Sequence, residues 1–243
     1  MQNTETSVAP PASPSFPKIG RQRLHDAVVE HMRALIIEGV LAPGVKLNER
    51  MLCETLGVSR TPLREAFKVL CAEGLIDIAP NRGATVTRMS ETEIRETFEL
   101  MGGLEALSGE LACERITSAE VAEIKAIHYA MVACRLRNDL PGYYAHNREI
   151  HDRISLAARN SALREMYVLV NRRLQALRFR SNHRKQKWDT ALADHEEMIK
   201  ALELRDGAMM GAILRKHLLD KRDAVMAILQ AEAAASDVSM ASE

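Results

Sequence analysis

Four polar residues in the second half of the chain have the types and placement of ligands. Asn147 and His151 are four apart and so share a helix face. His195 lies among Leu192, Met198, Ile199 and Leu202, and His217 among Ile213, Leu214, Leu218 and Leu219. Neutral imidazole binds divalent cations, and a helical bundle can turn three helices inward so that their imidazoles converge on one ion, with positions left for water or a carboxylate. From residue types alone two readings stay open, because a histidine on an apolar helix face is often a hydrogen-bonded core residue. An ion held this way could also activate water, so a metal-dependent hydrolase or isomerase is the alternative function. No His-Glu-x-x-His motif accompanies the cluster.

A second set of residues suits nucleic acid. Arg60, Thr61 and Arg64 follow the tight sequence Gly57-Val58-Ser59. The planar arginine fork can donate two hydrogen bonds to guanine O6 and N7, worth about 1–3 kcal/mol of discrimination per good pair. Arg60 and Arg64, four apart, would reach neighbouring bases. Arg50 would face the sugar-phosphate backbone, Ser59 would cap the helix, and Arg82-Gly83 would sit where a wing tip approaches the minor groove.

The elements that must position these residues are mostly helical. The chain has 243 residues, 47% hydrophobic and only 4% aromatic, with 12 Gly and 8 Pro. Such a composition favours helices, allows a sizeable core and excludes collagen and wholesale disorder. Thirty-three basic residues cancel thirty-three acidic ones, so any polyanion site must be local. No apolar run approaches the roughly 20 residues that cross a bilayer, and no secretory leader pattern opens the chain, so the expectation is a cytoplasmic protein with no membrane partner. Cys53, Cys71, Cys113 and Cys134 form no Cys-x-x-Cys pair and read as reduced core thiols.

Residues 1–19 hold four of the eight prolines and read as a disordered tail. Helical periodicity runs over 24–40, beginning with Leu24 and Ala27. A second helix starts at the N-cap Asn48 and stops at Gly57, and a third runs from Ser59 to about Gly74 with Pro62 in its first turn. Leu75-Ile76-Asp77-Ile78 and Ala84-Thr85-Val86-Thr87 flank Pro80-Asn81-Arg82-Gly83 as a β-hairpin. Helix, helix, tight turn, helix and hairpin is the order of a winged helix-turn-helix, whose third helix enters the major groove. Capping boxes at Ser90-Glu91-Thr92-Glu93 and Thr117-Ser118-Ala119-Glu120 start two long helices. Further helices are expected near 139–158, 161–181, 187–205 and 207–234. The expected architecture is therefore mostly α: a winged helix-turn-helix over 20–88, an all-α antiparallel bundle over 89–234, and a frayed tail over 235–243.

The string Gly57-Val58-Ser59-Arg60-Thr61-Pro62-Leu63-Arg64-Glu65-Ala66, with Pro43-Gly44, Leu47-Asn48-Glu49, Glu73-Gly74-Leu75-Ile76 and Gly83-Ala84-x-Val86 around it, resembles the DNA-binding domain of GntR-family regulators. Residues 90–234 are similar to the all-helical FCD domain of that family's FadR-like branch. The resemblance implies a homodimeric transcription regulator, expected to be a repressor, that binds a palindromic double-stranded operator with half-sites about one helical turn or less apart and responds to a small organic acid.

It further implies that Asn147, His151, His195 and His217 hold a divalent ion such as zinc, nickel or manganese. Asn147 stands where Asp is commoner, which removes one negative charge from the ligand set and leaves room for a carboxylate effector to supply it. Arg148, Asn171 and Arg172 are the expected effector contacts; Arg172-Arg173 and Arg178-x-Arg180 otherwise read as a solvated helix face. The family's arginine ahead of Leu104-Glu105 is replaced by Gly102-Gly103, which suggests a roomier or differently charged pocket. His146 and His183 fall outside the ligand register, and an architectural DNA binder would leave the helical domain unexplained.

Overall fold

In the computed structural model the described residues are 21–80, 82–181 and 186–240. The expected tail over 1–19, His183, the wing residue Asn81 and the last three residues lie outside them. The N-terminal unit runs α1 (Arg21–Ile37), β1 (Lys46–Leu47), α2 (Glu49–Leu56), α3 (Arg60–Ala72), β2 (Ile76–Ala79) and β3 (Gly83–Val86). The strands form an antiparallel sheet of order β1-β3-β2, with Lys46 opposite Thr85 and Ile76 opposite Val86. Two residues of β1 are too few to show an alternating pattern, so only the β2–β3 hairpin is legible in the sequence.

Local chemistry explains the α2–α3 corner. The Asn48 side chain accepts from the Met51 amide, and Gly57 closes α2 at φ 65°, a left-handed backbone that any Cβ would strain. Ser59 occupies the N-cap of α3 but its side chain makes no capping bond, contrary to the expectation, which leaves an exposed hydroxyl at the helix start. Beneath the corner Met32, Leu52, Leu63, Phe67 and Leu70 are buried in one core that includes Ile76 and Val86. Leu24 and Ala27 instead point outward.

The second unit is α4 (Glu91–Arg115), α5 (Ser118–Arg137), α6 (Leu140–Ala157), α7 (Ser161–Ser181), α8 (Gln186–Leu204) and α9 (Gly207–Met240). Both expected capping boxes are complete, and loops of a few residues fold α4, α5, α6 and α7 back on one another. Trp188 stacks on Tyr143 with ring centroids 4.4 Å apart. Cys113 and Cys134 are buried, whereas Cys53 and Cys71 are only partly covered; burial pushes the Cys113 thiol up to about 11, which keeps it protonated and unreactive.

The most extensive helix contact is α4 against α9. Gly109 allows it: a Cβ there would lie 2.5 Å from Leu214 Cδ1 and 2.6 Å from Met210 Cγ. Both neighbours are fully buried, so any shift of theirs must be taken up by the packed core. Gly109→Ala is therefore expected to cost about 1–3 kcal/mol through overpacking, read as a lower urea midpoint with an unchanged slope; a midpoint equal to wild type would show that the two helices separate freely.

Candidate metal centre and nucleic-acid interface

Three helices aim their histidines at one point. His151 on α6, His195 on α8 and His217 on α9 are all buried, and one nitrogen of each lies within 4.8 Å of the others. His151 Nε2 and His195 Nε2 are 3.3 Å apart. That spacing matches two nitrogens sharing a tetrahedral ion at about 2.0–2.1 Å from each. Burial, reinforced by the neighbouring rings, pushes His195 and His217 well below 6.5, so both are neutral at pH 7 with lone pairs available for an ion. Asn147 lies one turn before His151, and its buried side-chain oxygen has no hydrogen-bond partner. An orphaned acceptor beside three buried imidazoles is the donor set a borderline divalent cation takes.

Carboxylates hold two of the rings from behind. Asp194 Oδ2 is 2.8 Å from His217 Nδ1, and Glu105 Oε2 is 2.9 Å from His151 Nδ1. Each leaves the ring's other nitrogen facing the cluster, the arrangement that orients metal-binding histidines. Burial would raise the Glu105 carboxyl, but His151 and Arg178 outweigh it and hold it well below the usual carboxylate range. Arg178 Nη2 donates to Glu105 Oε1 at 2.8 Å and Nη1 to Asn171 Oδ1 at 2.9 Å. The solvated helix face expected for Arg178 is thus wrong, since the guanidinium is only 11% exposed.

The space at the histidines is small. A cavity of about 10 Å³ is lined by Asn147, His151, Arg178, His217 and Lys221. The roomier pocket expected from Gly102-Gly103 is absent there, because Gly102 is packed towards Leu218, Gly103 faces outward and the cation opposite Glu105 comes from α7. The expected effector contacts lie together on a larger recess of about 390 Å³ between α6 and α7, lined by Arg148, Asn171 and Arg172 along with Arg164 and Tyr167. Of these three, Asn171 reaches the histidine network through Arg178, while Arg172 is paired with Glu73 of the N-terminal unit at 2.9 Å. His128 is buried nearby with its ring 6.3 Å from that of His195.

In the N-terminal unit Ser59, Arg60, Thr61 and Arg64 are exposed at the start of α3, and Arg82 and Gly83 are exposed at the wing. Arg64 pairs with Glu49 at 2.9 Å and Arg50 with Glu54 at 3.0 Å. Such exposed pairs are worth little and can exchange for phosphate or base acceptors. Lys46 was missed by the sequence reading: its Cε lies 3.7 Å from the Cβ position of Gly83, which adds a cation to the wing.

The fold and the two sites define a DNA-reading head joined to a helical sensor domain. Residues 24–86 match the model of bacterial regulatory proteins of the gntR family, and residues 96–220 match the FCD domain. The chain belongs to the GntR family, as a transcription regulator with an FCD effector-binding domain. It is 24% identical over 210 residues to the HTH-type transcriptional repressor RspR of Escherichia coli K12, covering 86% of this chain and 92% of that one. It is 25% identical over 203 residues to the gluconate operon transcriptional repressor of Bacillus subtilis, covering 82% and 83%. Among solved structures it resembles E. coli McbR/YncC, with a TM-score of 0.72, 22% identity and coverage of 86% and 98%. A GntR regulator from Rhodococcus sp. RHA1 has a TM-score of 0.70 at 21% identity, with coverage of 84% and 97%. The family consists of DNA-binding regulators, not enzymes, and nothing in the site supports the hydrolase alternative. Among the described residues no helix is long and apolar enough to cross a membrane.

Proposed function

We propose that the protein is a cytoplasmic homodimeric repressor whose hold on a palindromic operator changes when a small carboxylate binds the helical domain beside a divalent ion. The convergence of His151, His195 and His217 carries this reading. Asn147, His151, His195 and His217 would hold the ion, and the ion would supply a Lewis-acidic position for an anion. Asn147 brings no charge to the ion, His195 and His217 are neutral, and Arg178 and Lys221 line the same cavity. A carboxylate satisfies that balance. Arg148, Asn171 and Arg172 offer further donors on the α6–α7 recess.

On DNA, Arg60, Thr61, Arg64 and Ser59 read or clamp the major groove, Arg50 grips the backbone, and Arg82 with Gly83 follows the minor groove. Residues 21–90 carry 10 Lys and Arg against 8 Asp and Glu, which is weak electrostatic attraction for one domain. Two copies double the phosphate contacts, and the salt dependence grows with them. Fragments from the protein's own promoter region, titrated by fluorescence anisotropy, test the assignment. Arg64→Ala is expected to lose about 1–3 kcal/mol at one base pair per half-site and to relax selectivity there, while Arg50→Ala weakens all sequences evenly and flattens the salt slope by about 1. Equal loss of selectivity in both variants would overturn the roles.

A further inference from the structure

The recognition helix is held at its far end by the sensor domain. Glu73 caps the C-terminus of α3 and its side chain is only 4% exposed, although nothing in a free winged domain requires a buried carboxylate there. Arg33 of α1 grips it with two hydrogen bonds, Nε to Oε2 at 3.0 Å and Nη2 to Oε1 at 2.7 Å. The third contact crosses the domain boundary, where Arg172 Nη1 of α7 lies 2.9 Å from Glu73 Oε1.

The next residue on α7 reinforces the grip. The Arg173 side chain packs over Gly74, its Nε 3.1 Å and its Cγ 3.3 Å from the Cβ position of that glycine, which has φ +72°. Ile37 at the end of α1 is buried with Tyr144 and Phe179 of the sensor domain. The preceding residue, Asn171, accepts from Arg178, which holds Glu105 against His151. Neighbouring residues of one helix therefore connect to the histidine site, through Arg178 and Glu105, and to the recognition helix.

We propose that the Glu73–Arg172 ion pair is a latch through which α7 positions the recognition helix, so that a rearrangement at the histidine site, passed through Glu105, Arg178 and Asn171, reorients the DNA-reading end. Arg172 and Glu73 are positioning residues and need not touch DNA. Helix α3 is 13 residues long, about 20 Å at 1.5 Å per residue, so a small rotation at Glu73 displaces Arg60 and Arg64 at the other end. An anion that enters the α6–α7 recess would compete with Glu73 for Arg172 and open the latch. The latch rests on the regulator reading only for the signal that works it.

Hydrogen–deuterium exchange on the full-length chain tests it without metal, effector or operator. The amides of Glu73, Gly74 and Leu75 donate to the carbonyls of Val69, Cys71 and Leu70, so their exchange reports whether the end of α3 is held. His151→Ala and Asn171→Ala disturb the network at two separate points. Each is expected to change exchange of these amides at least about fivefold, the low end of allosteric coupling. In an Arg172→Ala background the same changes should fall below about twofold, the margin within which uncoupled sites add. Arg172→Ala keeps the Arg33 partner of Glu73 and so should fold, and Arg172→Lys should restore the response in part. Equal responses with and without Arg172, or no response of these amides to either network variant, would overturn the latch. Failure of metal binding would overturn the metal reading and leave this outcome readable.

Discussion

Full-length protein purified without chelator will carry about one divalent ion per chain, and His195→Ala will carry none while remaining folded and dimeric. His195 is completely buried and its Nε2 shares the centre with His151, so its loss leaves two imidazoles and a weak amide donor. Asp194→Asn, which changes only the group behind His217, should weaken the ion by about 10–100-fold. Nitrogen donors favour zinc or nickel over manganese, and elemental analysis distinguishes them. The ion also stabilises the fold: at a hundred times its dissociation constant it adds about 2.7 kcal/mol, seen as a higher melting temperature that chelator reverses. The stabilisation should fade only well below pH 6.5, because burial keeps the ion-free His195 and His217 rings unprotonated to lower pH and the bound state excludes those protons. An ion-free wild type that is equally stable with added zinc would return the histidines to the role of core residues.

Local signals in the sequence carried the helix ends of both units. Asn48, Gly57, Ser90 and Thr117 each act within four residues of their partners, so cap chemistry and backbone preference fix them before any tertiary contact forms. The convergence of His151, His195 and His217 needed the family resemblance, since helical spacing places each on an apolar face without stating which faces meet. The roles of Glu105, Arg178 and Asp194 are not legible in the sequence because their partners are remote: Arg178 reaches Glu105 across 73 residues and Asp194 reaches His217 across 23. An arginine on a mixed helix reads as solvated until a buried carboxylate appears opposite it. The same holds for Arg172, whose partner Glu73 belongs to the other domain. Leu156 of α6 is half exposed, because five residues beyond His151 the helix has turned well past its inward face.

Arg178→Met should be the most destabilising single change in the sensor domain, lowering the unfolding free energy by about 3–5 kcal/mol. Glu105 is 2% exposed in its side chain, and it stays ionised because burial, which opposes charge, is outweighed by His151 and Arg178. Without the guanidinium the carboxylate either remains charged in a low-dielectric site or takes up a proton, and both cost free energy. The double variant Glu105→Gln, Arg178→Met removes both charges and should recover most of the loss, since a buried pair often balances its own desolvation. Urea unfolding of the four proteins gives the coupling energy directly. The pH dependence has a fixed sign. A carboxyl whose folded pKa is depressed contributes its full stability above its ordinary value of 4.5 and loses it as pH falls through the acid range. Wild type should therefore weaken more steeply below pH 4.5 than the double variant. A loss under about 1 kcal/mol for Arg178→Met would place the pair in the range of solvated ion pairs and remove the rigid link between the histidines and α7.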